Sequence, residues 1–224
     1  MNCPALIQRR EIWIPTIWGW FALLLTGSAT IVLAARILYP FMALNEPVGS
    51  HILVVEGWMN ADGLDQALEI LRSGQYRLVI TTGGPMDKWP GSHDFATYAE
   101  RAASYMSSRG HQDAEIVAVP APATQVDRTF LNAILVRKWA ARSGLTIDRL
   151  DVVSLGPHAR RSRALYHLAF DPETRIGVYA AKPSEYDPDA WWRTSAGAKN
   201  VLGEVVSWLW VTLFFQPDRQ QDRE

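Results

Sequence analysis

The chain has 224 residues, a single cysteine and a formal net charge of −1 from 22 basic and 23 acidic side chains. That length holds one ordinary domain and an anchor, and a balanced charge without charge runs argues against a nucleic-acid surface. The lone Cys3 excludes an internal disulfide and a cysteine metal cluster, and it precedes the apolar stretch, unlike a lipoprotein acylation site.

Residues 1–11 read as a cytoplasmic N-terminus and 12–38 as a transmembrane helix. Ile12 to Ala35 carries no charge and exceeds the roughly 20 residues that cross a hydrocarbon core. Trp13, Trp18 and Trp20 gather at one end and Tyr39 follows the other, as interfacial aromatic belts do. A cleaved signal has a shorter apolar core and a small-residue cleavage site; Ala34-Ala35 is a poor one, so the segment reads as a retained anchor. Arg9 and Arg10 precede the span and Arg36 alone follows it closely, which places the N-terminus inside and the remainder outside.

Residues 39–50, with Pro40, Pro47 and Gly49, read as a linker. Residues 51–215 then alternate short apolar runs with amphipathic stretches, the pattern of a three-layer, Rossmann-like α/β domain with a mainly parallel sheet. Strands are expected at 51–55, 77–81, 115–119, 150–154 and 175–180. The helices between them are expected at 61–71, capped by Asn60 or Asp62, and at 95–107, 129–141 and 160–169. Residues 199–215 form a second apolar stretch, interrupted by Glu204 and too short to span; it either docks on the domain or dips into the bilayer surface. Residues 216–224 are a polar tail.

In an open parallel sheet, ligands sit beyond the carboxyl ends of the strands. The residues there are Glu56-Gly57-Trp58, Thr82-Gly83-Gly84, the segment 120–129 and Gly156-Pro157-His158. Gly156 permits a tight turn, Pro157 suits a first helical position, and the free N–H groups beyond it favour an anion. His158 and Arg161 are three apart and share a helix face. Cations at a helix N-terminus are electrostatically unfavourable unless an anion joins them, so this corner reads as an anion seat; a structural histidine beside a solvated basic face is the plainer alternative. Glu56 is either a general base and ligand contact or a surface carboxylate. Thr129 and Asn132 open a helix that Asp127 or Thr129 would cap. Gly83-Gly84 either admits a charged ligand to the backbone or makes a tight loop. The chain has no G-x-G-x-x-G, Walker A, H-E-x-x-H or G-x-S-x-G motif, and His51, His93, His111 and His167 have no metal-site spacing. No cofactor and no metal are expected.

The order of anchor, LVVEGW strand end, TTGG, D-R-T-x-x-N and S-x-x-x-H-x-x-R resembles the YdcF/SanA/ElyC family, whose shared module is the domain of unknown function 218. The resemblance covers about residues 50–215. It implies site roles for Gly83, Gly84, Thr129, Asn132, His158 and Arg161, with Ser154 where the family has Thr. The acidic residue that commonly opens the family's second helix is displaced here, in Phe95-Ala-Thr-Tyr98-Ala-Glu100. The resemblance further implies a bacterial inner-membrane protein with a periplasmic domain, acting in peptidoglycan or lipid-carrier metabolism. One family member is associated with S-adenosylmethionine. The expectation is therefore an envelope-biogenesis protein whose partners are the lipid bilayer and a small phosphate-bearing or glycan-linked anion. Catalysis would fall to His158 and Glu56, and binding to Gly57, Gly83, Gly84, Thr129, Asn132, Ser154 and Arg161. The alternatives are a non-catalytic scaffold that holds envelope-assembly proteins, and a nucleotide or S-adenosylmethionine binder.

Overall fold

In a computed structural model of the chain, residues 13–87, 95–109 and 114–217 are described. They divide into two units, Met1–Ile37 and Leu38–Glu224.

The first unit holds most of helix α1, Ile17–Met42, which is long and apolar enough to cross a membrane. It starts later than the expected residue 12 because Pro15 disfavours the helical region for Ile14, and Thr16 Oγ1 accepts the Gly19 N–H at 3.3 Å as an opening cap. It also runs further than residue 38. Pro40 falls in its last turn, where it removes one intrahelical donor just before the helix stops, and that turn, 38–42, belongs to the second unit.

The second unit is a five-stranded parallel sheet with helices on both faces. Strands β1 (Ile52–Glu56), β2 (Leu78–Gly83), β3 (Glu115–Pro120), β4 (Arg149–Leu155) and β5 (Arg175–Ala181) stand in the order β3-β2-β1-β4-β5. Helices α2 (Ala61–Ser73) and α3 (Tyr98–Ser108) connect β1 to β3, and α4 (Arg128–Arg142) and α5 (His158–Ala169) connect β3 to β5. A 3-10 segment, Pro188–Arg193, which the sequence pattern does not show, leads into α6, Ser195–Leu213. Because the strand order runs outward from β1 and then restarts on its other side, the two helix pairs cover opposite faces. Leu53 and Val55 pack with Leu64, Leu68 and Met106 under α2 and α3. Ile52 and Val54 point the other way, to Ile134, Tyr166 and Val211 under α4, α5 and α6. Strands buried on both faces explain the unbroken apolar runs in the sequence.

The segment expected to be a free linker, residues 39–50, is pinned to the domain instead. Glu46 forms an antiparallel bridge to Val178 of β5. Asp151, fully buried in β4, accepts the Val48 N–H at 2.7 Å, the Ser50 N–H at 2.9 Å and the Tyr76 hydroxyl at 2.9 Å. A buried carboxylate needs such donors, and Gly177 makes room for them: a Cβ there would collide with Asp151 Oδ1 and the Val48 nitrogen. Asp151→Ala leaves the Val48 and Ser50 N–H groups without this acceptor and the Tyr76 hydroxyl with only Tyr179 Oη at 3.2 Å, and is expected to lower the unfolding free energy by about 3 kcal/mol. Chemical denaturation of the full chain in detergent checks this, and an unchanged midpoint would contradict it.

Candidate functional site

The strand order reverses between β1 and β4, the position where sheets of this kind form a ligand crevice. Glu56 ends β1 there and Ser154 lies near the end of β4. Ser154 Oγ donates to Glu56 Oε2 at 2.7 Å, so one hydrogen bond spans the switch point. Glu56 is 1% exposed, which rules out the surface-carboxylate reading. Burial of a carboxylate requires donors, and two more converge on it: Ser162 Oγ at 2.7 Å and Trp58 Nε1 at 3.1 Å. Tyr166, on the buried face of α5, has its phenol pushed far up by that burial and then by the charge of Glu56.

The turn after β4 has the geometry its residues suggest. Gly156 takes a left-handed φ of 49°, open to a glycine at no steric cost. Pro157 sits at the N-cap in helical conformation, and His158 begins α5. The imidazole is nearly buried, with the edge of the Trp58 ring 5.2 Å away between centroids. Its two nitrogens face two carboxylates. Nδ1 lies 2.9 Å from Glu204 Oε1, and Nε2 lies 3.6 Å from Glu56 Oε2 and 3.4 Å from Thr129 Oγ1.

Glu204 comes from α6 and changes the reading of the anion seat. Arg161 Nε donates to Glu204 Oε2 at 2.8 Å and Arg161 Nη2 donates to Oε1 at 3.1 Å, a two-pronged pair. Nη2 is also 2.8 Å from His158 Nδ1. A guanidinium only donates, so the arrangement that serves all three groups has both Nη2–H and Nδ1–H directed at Oε1. That leaves Nε2 as the nitrogen presented to Glu56 and Thr129. Burial alone would raise the Glu204 pKa, but hydrogen bonds from His158 and Arg161 and the charges of both outweigh it and hold the group at about 2. The anion that Arg161 at a helix N-terminus demands is thus part of the protein.

The other expected residues divide. Thr129 reaches His158, while Asn132, one turn further along α4, is buried with Oδ1 unpartnered among the described residues. Capping by Asp127 does not occur: it adopts a left-handed φ of 52° at the start of α4 and its side chain makes no cap bond. Gly57 and Gly83 serve packing. A Cβ on Gly57 would strike the Tyr98 and Thr82 carbonyl oxygens, and one on Gly83 would sit 2.6 Å from the Tyr98 Cβ, because the first turn of α3 rests on both. Gly84 is more open, its nearest neighbour being the Pro122 carbonyl at 3.7 Å. Glu100 plays no part in the cluster: it closes a capping box with Thr97 at the start of α3, accepting the Thr97 N–H at 3.0 Å. His93 and His111 lie outside the described residues; among those described, no group of three potential ligands is placed to hold a metal.

Ser162 and Glu204 are outside the expected site residues, and Trp58 is expected there only as part of the Glu56-Gly57-Trp58 strand end. Glu204 left a signal, as the only charge in an otherwise apolar stretch after Lys199. Ser162 left a weaker one, being four residues from His158 and so on its helix face.

Comparison with protein-family models finds no match, and comparison with curated proteins finds none either. The likeness to the YdcF/SanA/ElyC family rests on the motifs alone.

The lowered pKa of Glu204 has a direction of effect on stability. Its contribution is fully present above the unfolded-state value of 4.5 and is lost as the pH falls toward about 2. In Glu204→Gln, with Arg161 left without its counter-charge and His158 without its carboxylate acceptor, unfolding is expected to need roughly 3 kcal/mol less at neutral pH. The gap from the parent protein should narrow in acid. Urea titrations of both proteins at neutral and acidic pH test this, and a gap that does not change with pH would contradict it.

Proposed function

We propose that the chain is a membrane-anchored, extracytoplasmic α/β protein that binds a small phosphate-bearing or glycan-linked anion at the β1/β4 crevice, with His158 as its acid–base group. The observation that carries the reading is the placement of one imidazole between two carboxylates at the switch point, Glu204 on Nδ1 and Glu56 opposite Nε2. A carboxylate on one nitrogen fixes the tautomer and leaves the other to exchange protons with a ligand, the arrangement general acid–base catalysts use. Thr129 and the unpartnered Asn132 Oδ1 offer polar atoms for orienting the ligand. In hydrolysis of a phosphoester, water would give a proton to Nε2 as its oxygen bonds to phosphorus. The ester P–O bond breaks, and the same proton passes to the leaving oxygen. The family likeness adds the cell envelope as the setting and a bacterial inner membrane as the location, with Arg9 and Arg10 on the cytoplasmic side.

A second reading, binding without turnover, draws on the engagement of both His158 and Arg161 by Glu204. A ligand anion must then either displace that carboxylate or settle for the remaining donors.

Full-length protein in nanodiscs, assayed against phosphate monoesters, phosphodiesters and polyprenyl-phosphate analogues, separates the two. Under the catalytic reading, His158→Ala lowers kcat about 100-fold or more while KM changes little and ligand-induced thermal stabilisation persists. Unchanged turnover in that variant would remove His158 from the chemistry. Thermal stabilisation with no turnover in the parent protein would establish the second reading.

A further inference from the structure

The helix that delivers Glu204 to the site turns an uncharged apolar face outward. On α6, Val201, Glu204, Trp208 and Val211 face the domain, whereas Leu202, Val206, Leu209 and Leu213 follow the i, i+4, i+7, i+11 rhythm of the opposite face. Val206 is 67% exposed, Leu213 66% and Phe214 69%, with Trp210 exposed beside them. No charged residue occurs from Val205 to Pro217. A contiguous apolar strip of this kind marks an interaction surface.

What covers it follows from where the anchor's chain arrives. The end of α1 packs on this same helix within the second unit: the Phe41 ring meets the Trp208 ring edge-on at 5.3 Å, and Arg160 stacks over Phe41 and donates to its carbonyl oxygen. Arg36, the first charge after the apolar segment, is five residues before Phe41, at most about 18 Å of chain. The apolar part of α1 therefore ends only a few residues of chain before a side chain that touches α6. Trp and Phe side chains are suited to the headgroup depth of a bilayer. We infer that the outer face of α6 rests in the headgroup region of the membrane, so that the helix carrying Glu204 is also the domain's second lipid contact. This inference depends on the anchoring proposed above.

The test uses the full chain with Cys3→Ser as background, reconstituted in phosphatidylcholine–phosphatidylglycerol nanodiscs. Spin labels are placed at Val206→Cys and Leu213→Cys on α6, at Leu24→Cys in the anchor and at the solvent-exposed Glu69→Cys on α2. Collision with oxygen, which partitions into lipid, is compared with collision with a water-soluble nickel complex. The inference predicts oxygen-to-nickel ratios at the two α6 positions that approach the Leu24 value and exceed the Glu69 value. If the α6 labels match Glu69 while Leu24 stays lipid-exposed, the membrane contact of α6 is overturned and the anchor stands. If Leu24 also matches Glu69, the anchoring itself fails. Dipolar broadening between α6 labels would assign the face to a second copy of the chain and equally overturn the inference.

Discussion

A cation in the first turns of a helix is a liability, because the helix end already carries positive charge. Arg161, beside His158, holds that position at the start of α5, largely removed from water, and the domain resolves the conflict with a carboxylate from 43 residues further along the chain. The pairing does more than neutralise charge. It fixes the imidazole between Glu204 and Glu56 and sets which nitrogen faces the switch point. It also joins the last helix of the domain to the centre of the sheet. A chain of side-chain contacts then runs Arg161, Glu204, His158, Glu56, Ser154 and Ser162 through α5, α6, β1 and β4.

The sequence disclosed the frame of this arrangement and missed its closure. Apolar runs such as His51 to Val55 and Leu150 to Ser154 can only be strands buried on both faces once helices of ordinary length separate them. That is why the parallel sheet was legible and the element boundaries held to within a few residues. The strand-end rule led to Glu56, Thr129 and His158, helix spacing to Arg161 and the family resemblance to Ser154, and the fold brings these five together. The rule could not separate ligand from packing at Gly57 and Gly83, because a glycine that admits a ligand and one that admits a helix leave the same trace; here α3 occupies the space a Cβ would need. It failed for Glu204 for a different reason. A single carboxylate in an apolar helix is visible, but its partner is set by tertiary packing that no local pattern records. The linker reading failed likewise, since the buried Asp151 that gathers in residues 48 and 50 is a hundred positions away.

α6 connects the two halves of the functional account. One face supplies the carboxylate that orders His158 and Arg161 and, through Trp208, meets Phe41 at the end of α1, and the other is apolar and exposed. The crevice is thus built partly from a helix whose position the membrane would share in setting.

The central claim is that Glu204 is the anion of the seat, and the coupling energy between its two ends is the direct measure of it. A double-mutant cycle of Glu204→Gln and Arg161→Gln, read by equilibrium unfolding of the full chain at neutral pH, isolates that energy. The account predicts non-additivity of about 2 kcal/mol or more, with the double variant more stable than the two single losses together imply. Additivity to within roughly 0.5 kcal/mol would contradict it, and would leave the seat open for an anion from outside the protein.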